Sequence, residues 1–292
     1  MINNFDAKYN EYLRIFDAEL NKAFNSLKSV PQLLKDAMHY AIVGGGKRIR
    51  PILCIATAEI LGVNVEKVLK FAVAIECIHS YSLIHDDLPA MDNDDFRRGK
   101  PSTHKQFGEA FAILAGDALL NFAFEYCLDT TEYSQQYALA MKVLAEYAGC
   151  SGMIAGQVLD LQNENNPNFN EQTLYSIYLN KTAKLITAPL LIASELANGK
   201  YKDELTDFGY KLGFMFQITD DIMDVEGTVE SIGKTPNKDA EENKLTSIKV
   251  FGLDGAKDKN LSLYQDCINI LDKINGSEFL KEFTMRMFKR KK

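Results

Sequence analysis

Five aspartates, Asp86, Asp87, Asp92, Asp94 and Asp95, crowd into the stretch LIHDDLPAMDNDDFRRGKPSTH (83–104), with Arg97 and Arg98 directly behind them. A solvated surface loop is the ordinary explanation for such a cluster. Against it stands the apolar run that delivers the acids, FAVAIECIHSYSLIHDD over 71–87, which reads as a helix that must be buried. Carboxylates at a helix C-terminus also oppose the macrodipole, at about 0.3–1 kcal/mol each, and they repel one another. Hard divalent cations remove both objections, because Mg2+ takes carboxylate oxygens, keeps several waters and is often bound together with phosphates. In an unbroken helix Asp86 and Asp92 would point about 120° apart. Pro89 is expected to end the helix and let Asp92 curl back towards Asp86.

A second acidic group lies in GFMFQITDDIMDVEGT, over 213–228. Gln217, Asp220, Asp221 and Asp224 follow helical spacing and share one face, among the apolar Phe214, Phe216, Ile218, Ile222, Met223 and Val225. A row of acids on an otherwise buried helix does not read as a solvated face. The two groups together suggest acidic walls on either side of one helical cavity, with metal ions between them bridging a diphosphate.

The elements that must position these residues read as helices almost throughout. Apolar residues recur at three- and four-residue spacing over 6–27, 31–43, 51–61, 65–88, 107–129, 134–163, 171–198, 203–226, 243–251 and 258–273. Alternating strand patterns are absent, and VGGGKRIRP (43–51) and GKTPNKD (233–239) read as loops. The expectation is an all-α protein: residues 1–292 form one helical bundle around a central cavity. A 46% hydrophobic content suffices for a large core. A net charge of −7 without a basic stripe argues against a nucleic-acid partner. No uninterrupted apolar run reaches the ~18 residues of a membrane-spanning helix, and MINNFDAKYNEYLRIF lacks the pattern of a signal peptide, so a cytoplasmic protein without stable membrane insertion is expected. Five scattered cysteines, at 54, 77, 127, 150 and 267, read as buried, reduced thiols.

LIHDDLPAMDNDDFRRGKPSTH and FQITDDIMD, with GGGKRIRP before them, closely resemble the motifs of the trans-isoprenyl diphosphate synthase family, in the family's order. The resemblance implies the isoprenoid synthase fold, a homodimer and a Mg2+-dependent prenyltransferase, with three ions per active site and Mn2+ as a substitute. It implies condensation of isopentenyl diphosphate with dimethylallyl and then geranyl diphosphate. Carried over from the family, Asp86 and Asp92 are ligands of two ions and Asp220 of a third. Asp87, Asp221 and Asp224 complete the metal set, acting mainly behind those ligands or through water. Arg97, Lys181, Lys234 and Lys244 are placed on the allylic diphosphate, and Thr182 and Gln217 beside the allylic cation. No catalytic His or Cys stands out, which fits departing diphosphate as the final base.

The second diphosphate needs organic cations. The family assigns it Lys47 and Arg50 of GGGKRIRP, a close backbone approach at Gly46, and His79 and Arg98. GGGKRIRP is not a P-loop, since Arg48 stands where Ser or Thr would follow the lysine. His39, His85 and His104 read as ordinary core histidines. Arg290, in the basic FKRKK segment, is a candidate for closing over isopentenyl diphosphate. In GMIAGQVLDL (152–161), Gly152 and Gly156 permit close helix packing, and Gln157 and Asp160 are placed to hold Lys181 or metal-bound water. Tyr81 and Ser82, one turn before Asp86, occupy the family's chain-length floor. Ser82 is small, so Tyr81 is the expected stop, and ordinary core packing of Tyr81 is the alternative. A bulky ring there, with four residues between Asp87 and Asp92, is the pattern of the branch that makes the fifteen-carbon farnesyl product. Geranylgeranyl diphosphate synthases have nearly identical motifs and remain a rival. A terpene cyclase would replace the second motif with an Asn/Asp-x-x-x-Ser/Thr-x-x-x-Glu pattern, which Asp220, Asp224 and Thr228 do not match. A non-catalytic partner subunit would lose an aspartate cluster, and both are intact.

Overall fold

A computed structural model describes residues 4–43, 45–131, 133–227 and 243–290. Its regular structure is helical except for one short hairpin among the described residues, so the fold is all-α, as the periodicity indicated. The chain groups into two compact units: Met1–Ile55 with Asn64–Gln135, and Ala56–Val63 with Gln136–Lys292.

The first unit holds α1 (Asn4–Ser26), α2 (Gln32–Val43), α4 (Glu66–Asp86), a hairpin of β1 (Phe96–Arg97) and β2 (Lys100–Pro101), α5 (Thr103–Phe107) and α6 (Glu109–Leu128), with the start of α3 (Ile49–Leu61). Its spine is α4, which packs against α6, α1 and α2 and buries Phe71, Val73, Ile75, Ile78 and Ile84. Transfer of each such side chain from water favours the fold by roughly 1.5–3 kcal/mol. The hairpin was not visible in the sequence pattern. Its two-residue turn, Arg98–Gly99, has φ of 55° and 74°, the two positive values of the tight turn that suits the strand twist.

The second unit holds α7 (Gln135–Ala148), α8 (Met153–Asn163), α9 (Glu171–Tyr178), a π-helical turn (Leu179–Ala183), α10 (Lys184–Leu196), α11 (Lys202–Glu226), α12 (Ser247–Leu271) and α13 (Glu278–Phe288). Here α11 is the spine, packed between α10 and α12.

Several expectations need correction. The segment read as 134–163 is two helices, broken at 149–152 around Gly149 and Gly152. The pieces read as 243–251 and 258–273 are one element, α12, bent at Gly252 with φ 70°. The helix α13 was not expected at all. Cys150 is exposed, because it lies in the break between α7 and α8, whereas the other four thiols are buried. Glu66–Asp86 and Glu109–Leu128 are long and apolar enough, by length and composition, to cross a membrane, because mean hydropathy tolerates the few polar residues that interrupt the run. The relevant windows are 67% and 44% buried within the protein, as befits core helices.

Candidate active site

At the end of α4 the chain turns as Pro89 requires. The helix stops at Asp86, and the Asp92 N–H donates to the Asp86 carbonyl at 2.8 Å, bringing the sixth residue back beside the first. The Asp94 N–H donates to the Asp87 carbonyl at 3.2 Å. The carboxylate of Asp87 is buried, and burial raises its pKa despite the opposing Arg97 guanidinium. Arg97 donates to Asp87 through Nε at 3.0 Å and through Nη2, which also reaches Asp94 Oδ2 at 3.2 Å. The hairpin thus fastens Arg97 across the aspartate loop, with Asp87 as its anchor.

Arg48, Arg50 and Arg98 gather at the loop before α3. The Arg98 guanidinium donates to the Gly45 carbonyl, and a Cβ on Gly46, whose φ is 129°, would lie 2.9 Å from the guanidinium carbon. Any other residue there would be strained at that φ and would have to push the guanidinium aside. The Tyr9 hydroxyl in α1 donates to the Lys47 carbonyl at 2.6 Å. Arg48 adopts a left-handed backbone with φ 47°, and its guanidinium donates to Glu76 Oε1 and to the Ile42 carbonyl, both at 2.7 Å. Arg50 is buried in the first turn of α3. Burial first, and then Arg50, Arg98, Arg97 and Arg48, hold His79 well below the usual imidazole range, so the ring is neutral. Of these four guanidinium groups, Arg48 is paired with Glu76 and Arg97 with Asp87. Sequence reasoning missed Tyr9, Arg48 and Glu76, whose roles show only once α1 and α4 are folded beside the loop.

Tyr81 is 5% exposed, its ring sits edge-on to His85 at 5.7 Å, and its hydroxyl has no hydrogen-bond partner. Burial and then Asp86 push its phenol up to about 12. Ser82 turns its hydroxyl to the His79 carbonyl at 2.9 Å.

In the second unit the π turn carries Lys181 and Thr182. A π turn squeezes one extra residue into a helix and commonly marks a functional position. Two glycines make room for it. A Cβ on Gly156 of α8 would overlap the Lys181 backbone nitrogen, and one on Gly213 of α11 would overlap the Ala183 Cα. Lys181 Nζ donates to Asp160 Oδ2 at 2.6 Å, the partner expected from GMIAGQVLDL, whereas the buried Nε2 of Gln157 has no hydrogen-bond partner. Thr182 Oγ1 donates to Gln217 Oε1 at 2.9 Å. Asp160, Lys181, Thr182, Gln217, Asp221 and Lys244 line one cavity of about 100 Å3.

The acids of α11 differ from one another. Asp221 and Asp224 are each 2% exposed. The side chain of Asp220 is 41% exposed and accepts Arg290 Nη2 at 2.6 Å. Arg290 also donates to the Phe216 carbonyl at 2.8 Å and lies 3.9 Å above the Phe216 ring. Arg290 was expected to act on isopentenyl diphosphate; here it rests on the second aspartate motif. Lys234 and Thr228 lie outside the described residues.

Among the described residues no three His, Cys, Asp or Glu side chains converge as a ready-made metal site. Mg2+ does not require one, since it is commonly bound through one or two carboxylates together with phosphate oxygens. Each unit offers oxygens that suit such an ion: in the first, the turn that brings Asp92 back to Asp86 puts two acids on one loop, and in the second, the exposed carboxylate of Asp220 accepts the Arg290 guanidinium.

Comparison with known proteins agrees with these motifs. The polyprenyl synthetase family model matches residues 31–282. The farnesyl diphosphate synthase of Micrococcus luteus is 42% identical over 275 residues, 91% of this chain and 92% of that protein. A chloroplastic geranylgeranyl pyrophosphate synthase of Capsicum annuum is also 42% identical, over 82% of this chain and 66% of its own length. Among solved structures, a geranyltransferase from Helicobacter pylori complexed with magnesium and isoprenyl diphosphate superposes with a TM-score of 0.84 at 32% identity, covering 99% of this chain and 97% of that one. Such likeness over nearly the whole length brings the isoprenoid synthase fold with it, and the chain belongs to the polyprenyl synthetase family as a trans-prenyltransferase.

Proposed function

We propose that the protein makes (2E,6E)-farnesyl diphosphate, condensing isopentenyl diphosphate with dimethylallyl diphosphate and then with the geranyl diphosphate so formed. The observation that carries this product length is Tyr81, a buried aromatic ring one turn before Asp86 and next to the small Ser82. A prenyl chain growing down α4 from its diphosphate meets that ring within about 7.5 Å of axial rise. The Micrococcus luteus relative supports the fifteen-carbon reading, and the Capsicum annuum relative keeps a twenty-carbon product as the second.

In the proposed reaction the allylic C–O bond breaks and its electron pair leaves with the diphosphate. The double bond of isopentenyl diphosphate closes on the resulting cation, and the departing diphosphate takes the proton that restores an alkene. Mg2+, when bound, supplies positive charge at the leaving oxygens. Asp86, Asp92 and Asp220 are its proposed ligands, in three sites that also accept Mn2+, with Asp87, Asp221 and Asp224 orienting them. Arg97, Lys181, Lys234 and Lys244 hold the allylic diphosphate. Thr182 and Gln217 turn oxygen dipoles towards the cation. Gly46, Lys47, Arg50, His79 and Arg98 take isopentenyl diphosphate, and a neutral His79 donates a hydrogen bond there without adding charge.

The two units act as one synthase domain, which the unbroken family match across both supports. A homodimer is proposed from α6, where Phe111, Ile113, Leu114 and Leu128 are 42–55% exposed on one apolar helix that a second copy would cover. The working compartment is the cytoplasm.

Labelled isopentenyl diphosphate, offered with each allylic starter and followed by chromatography of the dephosphorylated products, tests the reading. Wild type is expected to stop at fifteen carbons, and Tyr81→Ala to run to twenty or more. A twenty-carbon main product from wild type, or a folded, active Tyr81→Ala enzyme that still stops at fifteen, would overturn it.

A further inference from the structure

An amide beside a carbocation has a right and a wrong way round. Its oxygen attracts the cation and its NH2 repels it. Gln217 must therefore be held in one orientation, and the surroundings of Asp221 show how. The Gln217 Nε2 donates to Asp221 Oδ1 at 3.3 Å, while its Oε1 accepts the Thr182 hydroxyl at 2.9 Å. An ionised carboxylate only accepts hydrogen bonds, so the amide atom turned towards it must be the NH2. That choice sends the oxygen to the Thr182 side.

Asp221 is itself pinned from elsewhere. Its Oδ2 accepts the Tyr178 hydroxyl from the end of α9, and the Ser247 N–H at 2.7 Å and Oγ at 2.6 Å from the start of α12. The Ser247 N–H also reaches the Tyr178 oxygen at 2.9 Å. Tyr178, Asp221 and Ser247 are all buried, and nothing in the family motifs of the sequence drew attention to Tyr178 or Ser247. Three donors from two elements meet on one carboxylate oxygen, and the other oxygen faces Gln217.

We infer that Tyr178 and Ser247, acting through Asp221, are positioning residues that lock the Gln217 amide with its oxygen on the Thr182 side of the 100 Å3 cavity. The inference rests on the proposed prenyl transfer. It gives Asp221, placed behind the proposed metal ligands, a second and separate orienting task, on the Gln217 amide. Asp221→Asn isolates that task. The new amide oxygen still meets the Tyr178 and Ser247 donors, but its NH2 faces Gln217, and the Gln217 amide must turn over to answer it. The cation then meets N–H groups. Adding Gln217→Glu exchanges carboxylate and amide, returns oxygens to both sides and keeps the net charge of wild type.

Wild type, Asp221→Asn, the double variant that joins Asp221→Asn to Gln217→Glu, and Tyr178→Phe are compared in three assays. These are steady-state kinetics with both substrates, calorimetric titration of Mg2+ in the presence of inorganic diphosphate, and thermal unfolding. Asp221→Asn is expected to lower kcat about a hundredfold, the scale of losing one preorganised dipole, with KM for isopentenyl diphosphate and Mg2+ affinity held within about twofold. The double variant is expected to regain at least about tenfold, and Tyr178→Phe to lose about tenfold in kcat alone. A fall in Mg2+ affinity that parallels kcat in Asp221→Asn, no recovery in the double variant, or losses that follow the melting temperature would each overturn the inference. A wild-type enzyme that forms no prenyl product would overturn the proposed function, and this inference with it.

Discussion

Glu76→Gln is expected to unsettle the loop of Lys47 and Arg50, the proposed site of isopentenyl diphosphate, from a distance. Glu76 is 2% exposed and Arg48 8%, with 2.7 Å between Arg48 Nη1 and Glu76 Oε1. Glutamine keeps the shape and an acceptor but removes the charge that compensates the buried guanidinium. Breaking a buried pair from one side costs about 3–5 kcal/mol, and the retained hydrogen bond puts this substitution near 3. At roughly 2–4 °C per kcal/mol, the melting temperature should fall by roughly 6–12 °C. The pair also holds Arg48 in a left-handed conformation that costs about 1–2 kcal/mol, so the backbone between Lys47 and Arg50 should relax as it weakens. KM for isopentenyl diphosphate should therefore rise while that for geranyl diphosphate holds. Replacing both partners by methionine separates stability from positioning, because an apolar pair of similar volume is commonly neutral or stabilising. That double variant should melt near wild type and still show the raised KM. A Glu76→Gln protein melting within about 2 °C of wild type would refute the energetic argument. An unchanged KM in the double methionine variant would refute the positional one.

Two further outcomes are expected. Arg50→Ala should raise KM for isopentenyl diphosphate far more than for geranyl diphosphate, and Lys181→Ala should do the reverse or depress kcat, because its charge gains value as the leaving group ionises; equal effects on both substrates would undo the assignment of sites. His79 has a folded-state pKa below its unfolded value of ~6.5, so the unfolded chain binds the proton more readily. Its contribution to stability is present above about pH 6.5 and is lost as pH falls below it, and His79→Gln should flatten that part of the curve in urea unfolding at about pH 7.5 and about pH 5.5. The same loss of stability in both proteins would refute this.

The sequence made the local features readable and hid the ones that depend on neighbours. Pro89 and the spacing of Asp86 and Asp92 foretold a loop that curls back, because that geometry is fixed within seven residues. The shared face of Gln217, Asp220, Asp221 and Asp224 followed from helical spacing, but their division of labour did not. Only the fold shows that Asp221 is occupied by Tyr178 and Ser247 while Asp220 stays accessible to a cation. The π turn was read as part of one continuous helix over 171–198, since a single extra residue barely disturbs a 3.6-residue period; the space left for it by Gly156 and Gly213 lies on other helices. In GGGKRIRP, Arg48 stands out only as a departure from the P-loop pattern. Its value rests on Glu76, an acid inside the apolar stretch of α4 that becomes informative only once Arg48 is folded beside it.

The pairing of Arg290 with Asp220 has a consequence for the order of events at the ribosome. Arg290 is encoded 70 residues after Asp220. At about 5–20 residues per second, translation separates the two by roughly 4–14 s. Through that interval Asp220 stands on α11 beside Asp221 and Asp224 before Arg290 exists, and Ser247 at the start of α12 is added only part-way through it. The newborn helix must tolerate its own like charges, and its acids find their protein partners in sequence: first the donors of Asp221, then the guanidinium on Asp220. The face of α11 that carries Asp220, Asp221 and Asp224 is therefore among the last parts of the chain to reach electrostatic balance.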